Sequence, residues 1–242
     1  MVLGKVICNQ IKVIDWMQSC DCKLDNHFDI WRIYIPNYLS SLDSFSQVLS
    51  LFEKRKMNSF KDIEDKNRYL IAHYFVRKIG ADYLKIDPSK LQISYTSKNK
   101  PYFKYYQSLN FNISHSGDYV IIGFANKWSV GVDIELINTE LDLYDLIYNC
   151  MSTSEISMIL NSNSPRSIFF KHWTRKEALL KGVGIGLTDR IKDMSCLDGL
   201  NLMPYDLSSF ASSWKIKSFE MDEYSVSVAH DSALRIVRFY QL

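Results

Sequence analysis

An extended chain over Ser129-Val-Gly-Val-Asp-Ile-Glu135 would set Val130, Val132 and Ile134 on one face and Gly131, Asp133 and Glu135 on the other. Two carboxylates opposite an apolar face are either the polar side of a half-buried strand or an acidic site. Gly131 beside them marks a place where something can come close to the backbone. In a second segment, Phe169–Lys181, the residues Trp173, Glu177 and Lys181 recur every fourth position and stack on one helical face. On a solvated surface such a Glu-to-Lys pair is worth roughly a few tenths of a kcal/mol. Here Phe169, Phe170, Ala178, Leu179 and Leu180 make the same helix broadly apolar, which directs the carboxylate and the ammonium toward a cleft. A third segment, Phe111-Asn-Ile-Ser-His-Ser-Gly117, offers hydroxyls, an imidazole and backbone N–H groups suited to phosphate oxygens. A Ser-His nucleophile pair is disfavoured, because neighbours on a strand point apart and no G-x-S-x-G elbow is present. Taken singly, His115 reads as structural.

These segments need elements to hold them. Val2 to Val13 and Phe28 to Ile35 read as strands, and Ser44 to Gly80 as helical, with Tyr69, Ala72, Val76 and Ile79 forming an apolar stripe and Gly80 a stop. Leu91 to Tyr95 alternates as a strand, and Ser97-Lys-Asn-Lys-Pro101 is turn chemistry. Phe111 to Ser114, Asp118 to Ala125 and Val130 to Leu136 follow as strands. A helical region spans about Asp142 to Leu160, and a further helix runs from an N-cap at Ser164, with Pro165 in its first turn, to a stop at Gly182. Three strands close the chain: Trp214 to Phe219, Tyr224 to Ala229 and Leu234 to Tyr240. Gly117-Asp-Tyr-Val-Ile-Ile-Gly-Phe-Ala is echoed by Asp222-Glu-Tyr-Ser-Val-Ser-Val-Ala. The expected fold is α+β, with two similar halves, 1–125 and 126–242, related by a pseudo-twofold axis, each a small antiparallel-rich sheet packed with helices.

The 29 Lys and Arg balance 27 Asp and Glu, which argues against a dedicated nucleic-acid binder. Five scattered cysteines read as reduced thiols, and Cys20-x-Cys22 has no second pair to complete a zinc site. The N-terminus has no signal-peptide apolar core, and the longest apolar run, Tyr119 to Ala125, is far short of the ~20 residues that span a bilayer. A soluble cytoplasmic protein with no membrane association is expected.

NISHSG at 112–117, GVDIE at 131–135 and WTRKEALLKGVGIGL at 173–187, in this order, resemble the signature blocks of the 4′-phosphopantetheinyl transferase superfamily, in its larger pseudo-dimeric class. The resemblance covers residues 98–187, with a looser match at Glu53-Lys-Arg-Lys56, Phe60 and Asp65–Arg68. It implies a monomeric enzyme of secondary metabolite biosynthesis that moves the phosphopantetheine arm of coenzyme A to a serine of an apo acyl carrier or peptidyl carrier protein. It makes Asp133, Glu135 and Glu177 ligands of Mg²⁺, for which Mn²⁺ can substitute. Lys181 would hold the coenzyme A pyrophosphate, with Lys176 a weaker candidate, and Ser114, His115, Lys100 and Lys56 would meet phosphates. Catalysis would fall to Glu177, His115 and Lys181, with Glu177 or a metal-bound water as the base. Asn99 replaces a usual glycine, and Tyr69 stands where relatives carry a smaller polar residue, which puts the adenosine contact there in doubt. Pooled carboxylates repel by about 4 kcal/mol per pair at about 4 Å and an effective dielectric near ~20, a cost that a hard divalent cation removes. Two other readings use the same residues: another Mg²⁺-dependent phosphoryl or nucleotidyl transferase, and a non-catalytic coenzyme A- or carrier-binding regulator. Within Asp142–Leu160, Met151 and Met158 are expected to be exposed and to meet the carrier.

Overall fold

A computed structural model describes residues 3–204 and 213–242. In chain order the elements are β1 (Leu3–Gln10), β2 (His27–Tyr34), α1 (Leu42–Val48), α2 (Leu51–Asn58), α3 (Ile63–Leu84), β3 (Ile93–Tyr95), β4 (Pro101–Phe103), β5 (Leu109–Ser116), β6 (Tyr119–Asn126), β7 (Val130–Leu136), α4 (Tyr144–Cys150), α5 (Thr153–Leu160), α6 (Pro165–Val183), β8 (Gly199–Pro204), β9 (Ser213–Met221), β10 (Tyr224–Asp231) and β11 (Ile236–Gln241). The sheets are ordered β11-β2-β6-β5 and β7-β10-β9-β1-β8, beside a small β3-β4 pair.

The two large sheets repeat one plan. β11 lies parallel to β2, which pairs antiparallel with β6 and then β5. Likewise β1 lies parallel to β9, which pairs antiparallel with β10 and then β7. The echoed segments thus fall on equivalent strands, β6 and β10, each entered through a left-handed turn residue, Gly117 (φ 51°) and Asp222 (φ 53°). The first and last strands are exchanged: β1 completes the sheet of the C-terminal half and β11 that of the N-terminal half. One face of the first sheet packs on α1–α3. Its other face meets the second sheet through Phe28, Ile30, Ile121, Val130, Val132, Ile134, Val226 and Val228. The second sheet's far face carries α6.

Several boundaries differ from expectation for local reasons. Gly80 does not stop α3. It sits inside the helix, where a Cβ would come 2.7 Å from the Phe103 ring, and Lys85 in the left-handed region (φ 54°) caps the end. The region 42–84 holds three helices, because Ser50 forms a capping box with Glu53 and Asp62 caps a new start. Region 142–160 likewise breaks at Ser152, which forms a capping box with Glu155. In α6 the stop is Gly184 (φ 83°), and Gly182 remains helical. β4 begins at Pro101, and β8 is a strand for which the sequence reading had no counterpart. The reading of Val2 falls outside the described residues. All five cysteines are free thiols. Among the described residues no helix is long and apolar enough to cross a membrane.

Gly131 does permit a close approach, and what approaches is α6. A Cβ there would lie 1.9 Å from the Ala178 carbonyl oxygen and 2.4 Å from the Gly182 nitrogen. These are backbone atoms and cannot rotate away. Gly131→Ala is therefore expected to cost at least about 1–3 kcal/mol, read as a fall in thermal midpoint together with lost activity, since it pries the helix from the acidic strand. A variant as stable and active as the parent would show that the two elements are not held this tightly.

Candidate active site

β5 and β7 are the facing edge strands of the two sheets, and side chains instead of a backbone ladder bridge them. Asn112, Ser114 and Ser116 alternate on β5 and point one way. Asn112 Oδ1 accepts from the Val132 N–H (2.8 Å), Ser114 Oγ donates to Asp133 Oδ1 (2.9 Å), and Ser116 Oγ accepts from the Leu136 N–H (3.0 Å) while donating to Glu135 Oε2 (3.3 Å). The hydroxyls of Ser114 and Ser116 therefore serve the acids of β7 first, where the sequence had offered them to phosphate.

Beside this seam lies a cavity of about 490 Å³. β5 supplies Ser114 and His115, β7 supplies Asp133 and Glu135, α6 supplies Trp173, Glu177 and Lys181, and α3 supplies Tyr69 and His73. Both halves of the chain thus contribute walls. Asp133, only 2% exposed, accepts the Lys181 ammonium at 2.6 Å on the oxygen that also takes Ser114. Lys181 pairs with Asp133 and not with Glu177 one turn earlier on its own helix, and its Nζ also donates to Ser114 Oγ at 2.9 Å.

Burial pushes the Asp133 carboxyl up, against the charge of Lys181 and its hydrogen bonds. Burial and then the charge of Asp133 raise Glu135. Burial, with the charges of Asp133 and Glu135 outweighing that of Lys181, lifts Glu177 to about 7. His115 opens to solvent at the cavity edge. The protein around its ring, and then the charges of Lys181 and Arg68, hold it down at about 4.

Asp133 Oδ2 and Glu177 Oε1 are buried without a hydrogen-bond partner among the described residues. Orphaned carboxylate oxygens of this kind suit a hard, oxygen-seeking cation. Among the described residues no three His, Cys, Asp or Glu side chains stand close enough together to enclose a metal ion, and the Lys181 ammonium rests on Asp133 instead.

Lys100 donates to the Gly182 carbonyl at 2.7 Å, and burial lowers it to about 8. It lines a second, smaller cavity of about 230 Å³, with Lys181 on the wall of both. Lys56 is not brought to either cavity. It is exposed, with its Nζ 5.5 Å from the centre of the Phe60 ring. Lys176 is a core residue: fully buried, it pairs with Glu155 at 2.7 Å and donates to the carbonyls of Cys150 and Ile191, out of reach of any ligand. Sequence reasoning overlooked His73, Asn112 and Ser116. His73 lies four residues after Tyr69 on the stripe assigned to the core, and the upper part of that stripe faces the cavity.

Two family models match consecutive stretches of the chain, the 4′-phosphopantetheinyl transferase N-terminal model over residues 37–127 and the 4′-phosphopantetheinyl transferase superfamily model over residues 129–229. The chain belongs to the 4′-phosphopantetheinyl transferase superfamily. It is 29% identical over 169 residues to the 4′-phosphopantetheinyl transferase HetI of Nostoc sp., covering 68% of this chain and 71% of HetI. It is 28% identical over 209 residues to the 4′-phosphopantetheinyl transferase Sfp of Bacillus subtilis, covering 83% of this chain and 92% of Sfp. With the L-aminoadipate-semialdehyde dehydrogenase-phosphopantetheinyl transferase of Xenopus laevis it shares 29% identity over 150 residues, 56% of this chain and 49% of that relative. The chain therefore spans about half the length of the frog relative and nearly all of Sfp. The junction between the two family models, at residue 128, falls in the turn that leads into the acidic strand.

Proposed function

We propose that this chain transfers the 4′-phosphopantetheine moiety of coenzyme A to a serine hydroxyl of an apo acyl carrier or peptidyl carrier protein, releasing 3′,5′-ADP. The observation that carries the proposal is a single cavity combining Asp133, Glu135 and Glu177 with Lys181 and His115, in a member of this superfamily. The two partnerless oxygens, Asp133 Oδ2 and Glu177 Oε1, support a cation site of Asp133, Glu135 and Glu177, holding Mg²⁺ or in its place Mn²⁺. Such an ion would neutralise charge on the diphosphate of coenzyme A.

The chain's own groups supply the rest. Lys181, shared by the two cavities, would leave Asp133 for the diphosphate oxygens and stabilise charge that grows as the bond breaks. His115 would hydrogen-bond phosphate oxygens at the cavity edge. Glu177, whose carboxyl sits near neutrality, would take the proton of the carrier serine. The serine oxygen bonds to the β-phosphorus, the bond from that phosphorus to the bridging oxygen breaks, and its electron pair leaves with 3′,5′-ADP. Lys100 supports a phosphate or amide contact in the smaller cavity, and Lys56, exposed outside both cavities, is kept only as a phosphate contact on the surface. We assign nucleotide and phosphate contacts chiefly to residues 1–125 and the acids and α6 to residues 126–242, and we take the working enzyme to be a cytoplasmic monomer.

Intact mass spectrometry of a panel of apo carrier proteins, incubated with the enzyme, coenzyme A and Mg²⁺, tests the proposal. A gain of one phosphopantetheine on at least one carrier is expected. No gain on any carrier, with coenzyme A bound but unconsumed, would favour a binding regulator, and a different product would favour another phosphoryl transfer.

For the carrier surface, α4 and α5 divide their apolar residues. Ile147, Ile159 and Met151, at 2% exposure, pack with Phe169 and Phe170, so Met151 belongs to the core. Tyr144, Tyr148, Met158 (42% exposed) and Leu160 remain outside. A carrier helix docking here would be sensitive to charge, and methionine suits such a surface because it repacks against different partners. Met158→Glu should raise KM for the carrier about tenfold and leave KM for coenzyme A and the thermal midpoint unchanged. Unaltered carrier kinetics would send the carrier elsewhere.

A further inference from the structure

The two large sheets end in four outer strands, β11, β5, β7 and β8, and three of their edges are covered. β5 and β7 face each other across the seam beside the main cavity, bridged by side chains. The outer edge of β11 is closed by Met17, whose N–H donates to the Phe239 carbonyl at 2.9 Å and whose carbonyl accepts from the Gln241 N–H at 3.0 Å. β8 is the fourth. It pairs with β1 alone, and no other strand among the described residues lies against it. An open edge is ordinarily guarded by charge, by a bulge or by brevity. β8 runs six residues, Gly199-Leu-Asn-Leu-Met-Pro204, in unbroken register with β1, carries no charge, and has its one guard, Pro204, at the end.

The sheet face beside this edge is uncovered as well. The core between the two sheets draws on β7, β9 and β10 of the second sheet and takes nothing from β1 or β8. Alternation puts Leu3, Lys5 and Ile7 of β1, Leu200 and Leu202 of β8, and Lys215 and Lys217 of β9 on that face. The registers set them in rows, Leu200 beside Ile7 beside Lys215, and Leu202 beside Lys5. Leu200 is 63% and Leu202 53% exposed, and Leu3 and Ile7 are exposed too. No acid stands on this face of the three strands, so the lysines leave it positive. Burial and then the charge of Lys215 hold Lys217 below its ordinary value, a crowding of like charge that an incoming carboxylate would relieve.

An apolar face with lysines suits either an acidic protein segment or anionic lipid headgroups. The open backbone decides between them. Against lipid the N–H and C=O groups on the outer edge of β8 would lose their water, whereas an added strand satisfies them. A second copy pairing through β8 would bring the same lysines to both sides of the joint, and a partner rich in carboxylates meets no such repulsion.

We infer that the outer edge of β8 is a docking site for an extended acidic segment of a partner protein. The segment adds a further strand to the five-stranded sheet, its apolar side chains beside Leu200 and Leu202 and its carboxylates toward Lys5, in the field of Lys215 and Lys217. β8 stands at the opposite end of the sheet from β7, about 19 Å away at the usual strand spacing, so a segment held there leaves the main cavity open.

Fluorescence anisotropy on the full chain, with a short labelled peptide that alternates valine and glutamate, tests the inference. Saturable binding is expected, about tenfold tighter than that of the valine–lysine counterpart at low salt. Methylating the backbone nitrogens along the pairing side of the peptide should abolish binding, and hydrogen exchange at Gly199–Leu202 should slow only with the unmethylated peptide. Leu202→Glu should weaken the acidic peptide about tenfold, and Lys5→Glu with Lys215→Glu should reverse the preference between the two peptides. Thermal midpoints should hold, since these side chains lie on the uncovered face. No saturable binding of the acidic peptide by the parent protein, or equal binding of the two peptides, would overturn the inference. Full affinity of the methylated peptide would put the ligand on the sheet face instead of the edge and overturn strand addition. A doubled mass in sedimentation without peptide would give the edge to a second copy. Capture on phosphatidylserine vesicles without peptide binding would give the face to lipid, and either result would overturn the inference.

Discussion

Asp133→Asn and Glu177→Gln are each expected to lower turnover by about 10²–10⁴-fold while the folded protein keeps or slightly raises its thermal midpoint. The two effects diverge because both carboxyls are held above their ordinary range by burial. In the ionised form each is a burden on the fold at neutral pH, and an amide of the same shape removes that burden while discarding the charge that chemistry needs. A chelator should have the same effect on the parent, and Mg²⁺ or Mn²⁺ should restore activity. Because Glu177 holds its proton up to about pH 7, a cation must displace that proton below this point. Cation affinity should then fall about tenfold per pH unit below 7 and level off above it. Full turnover in EDTA, or a collapsed midpoint in either variant, would defeat the assignment.

The largest effect on stability is expected at Glu53. It is buried in the core between α2 and α3, where it accepts from Arg77 and His73 and closes the capping box with Ser50. Burial alone would push its carboxyl up, but hydrogen bonds from His73 and Arg77 and the guanidinium charge hold it at about 2, against an ordinary 4.5. A carboxyl depressed in the folded state stabilises fully above about pH 4.5, and that stabilisation, about 3 kcal/mol, is lost between 4.5 and 2. Glu53→Gln leaves the Arg77 guanidinium buried and uncompensated, which should cost about 3–5 kcal/mol. For a chain of this size that corresponds to a fall of about 6–20 °C in thermal midpoint. Adding Arg77→Met should restore more than half of the loss, since an apolar pair is tolerated where a lone charge is not. Urea midpoints measured at pH 7, 4.5 and 3 should fall for the parent below 4.5 and fall less for the variant. An additive double mutant, or parallel pH curves, would mean that the pair is not the source of this stability.

What the sequence determined by itself is what repeats at short range. Strict alternation from Val130 to Leu136 places three apolar residues between the sheets and two acids in the cavity, and the strand's ends match the alternating segment residue for residue. The fourfold spacing of Trp173, Glu177 and Lys181 likewise carries all three to one wall, since helical geometry fixes that face whatever packs around it. The paired β6 and β10 segments were legible for the same reason.

Tertiary structure alone decided where each polar atom spends its hydrogen bonds. Lys176 and Lys181 lie on one helix, five residues apart and so on different faces, yet only the fold shows that the face of Lys176 is core, locked on buried Glu155, while that of Lys181 lines the cavity. Ser114 was read as a phosphate ligand and donates to Asp133, as its overlooked neighbour Ser116 donates to Glu135, because two sheet edges meet there without a backbone ladder. Tyr69 and Ala72 continue a core stripe in sequence but overlook a cleft in space, and that placement turns His73 from a core residue into a cavity wall. The exchange of β1 and β11 was invisible for the same physical reason. Alternation states which face of a strand is buried, whereas the partner strand is chosen by contacts between residues some two hundred positions apart.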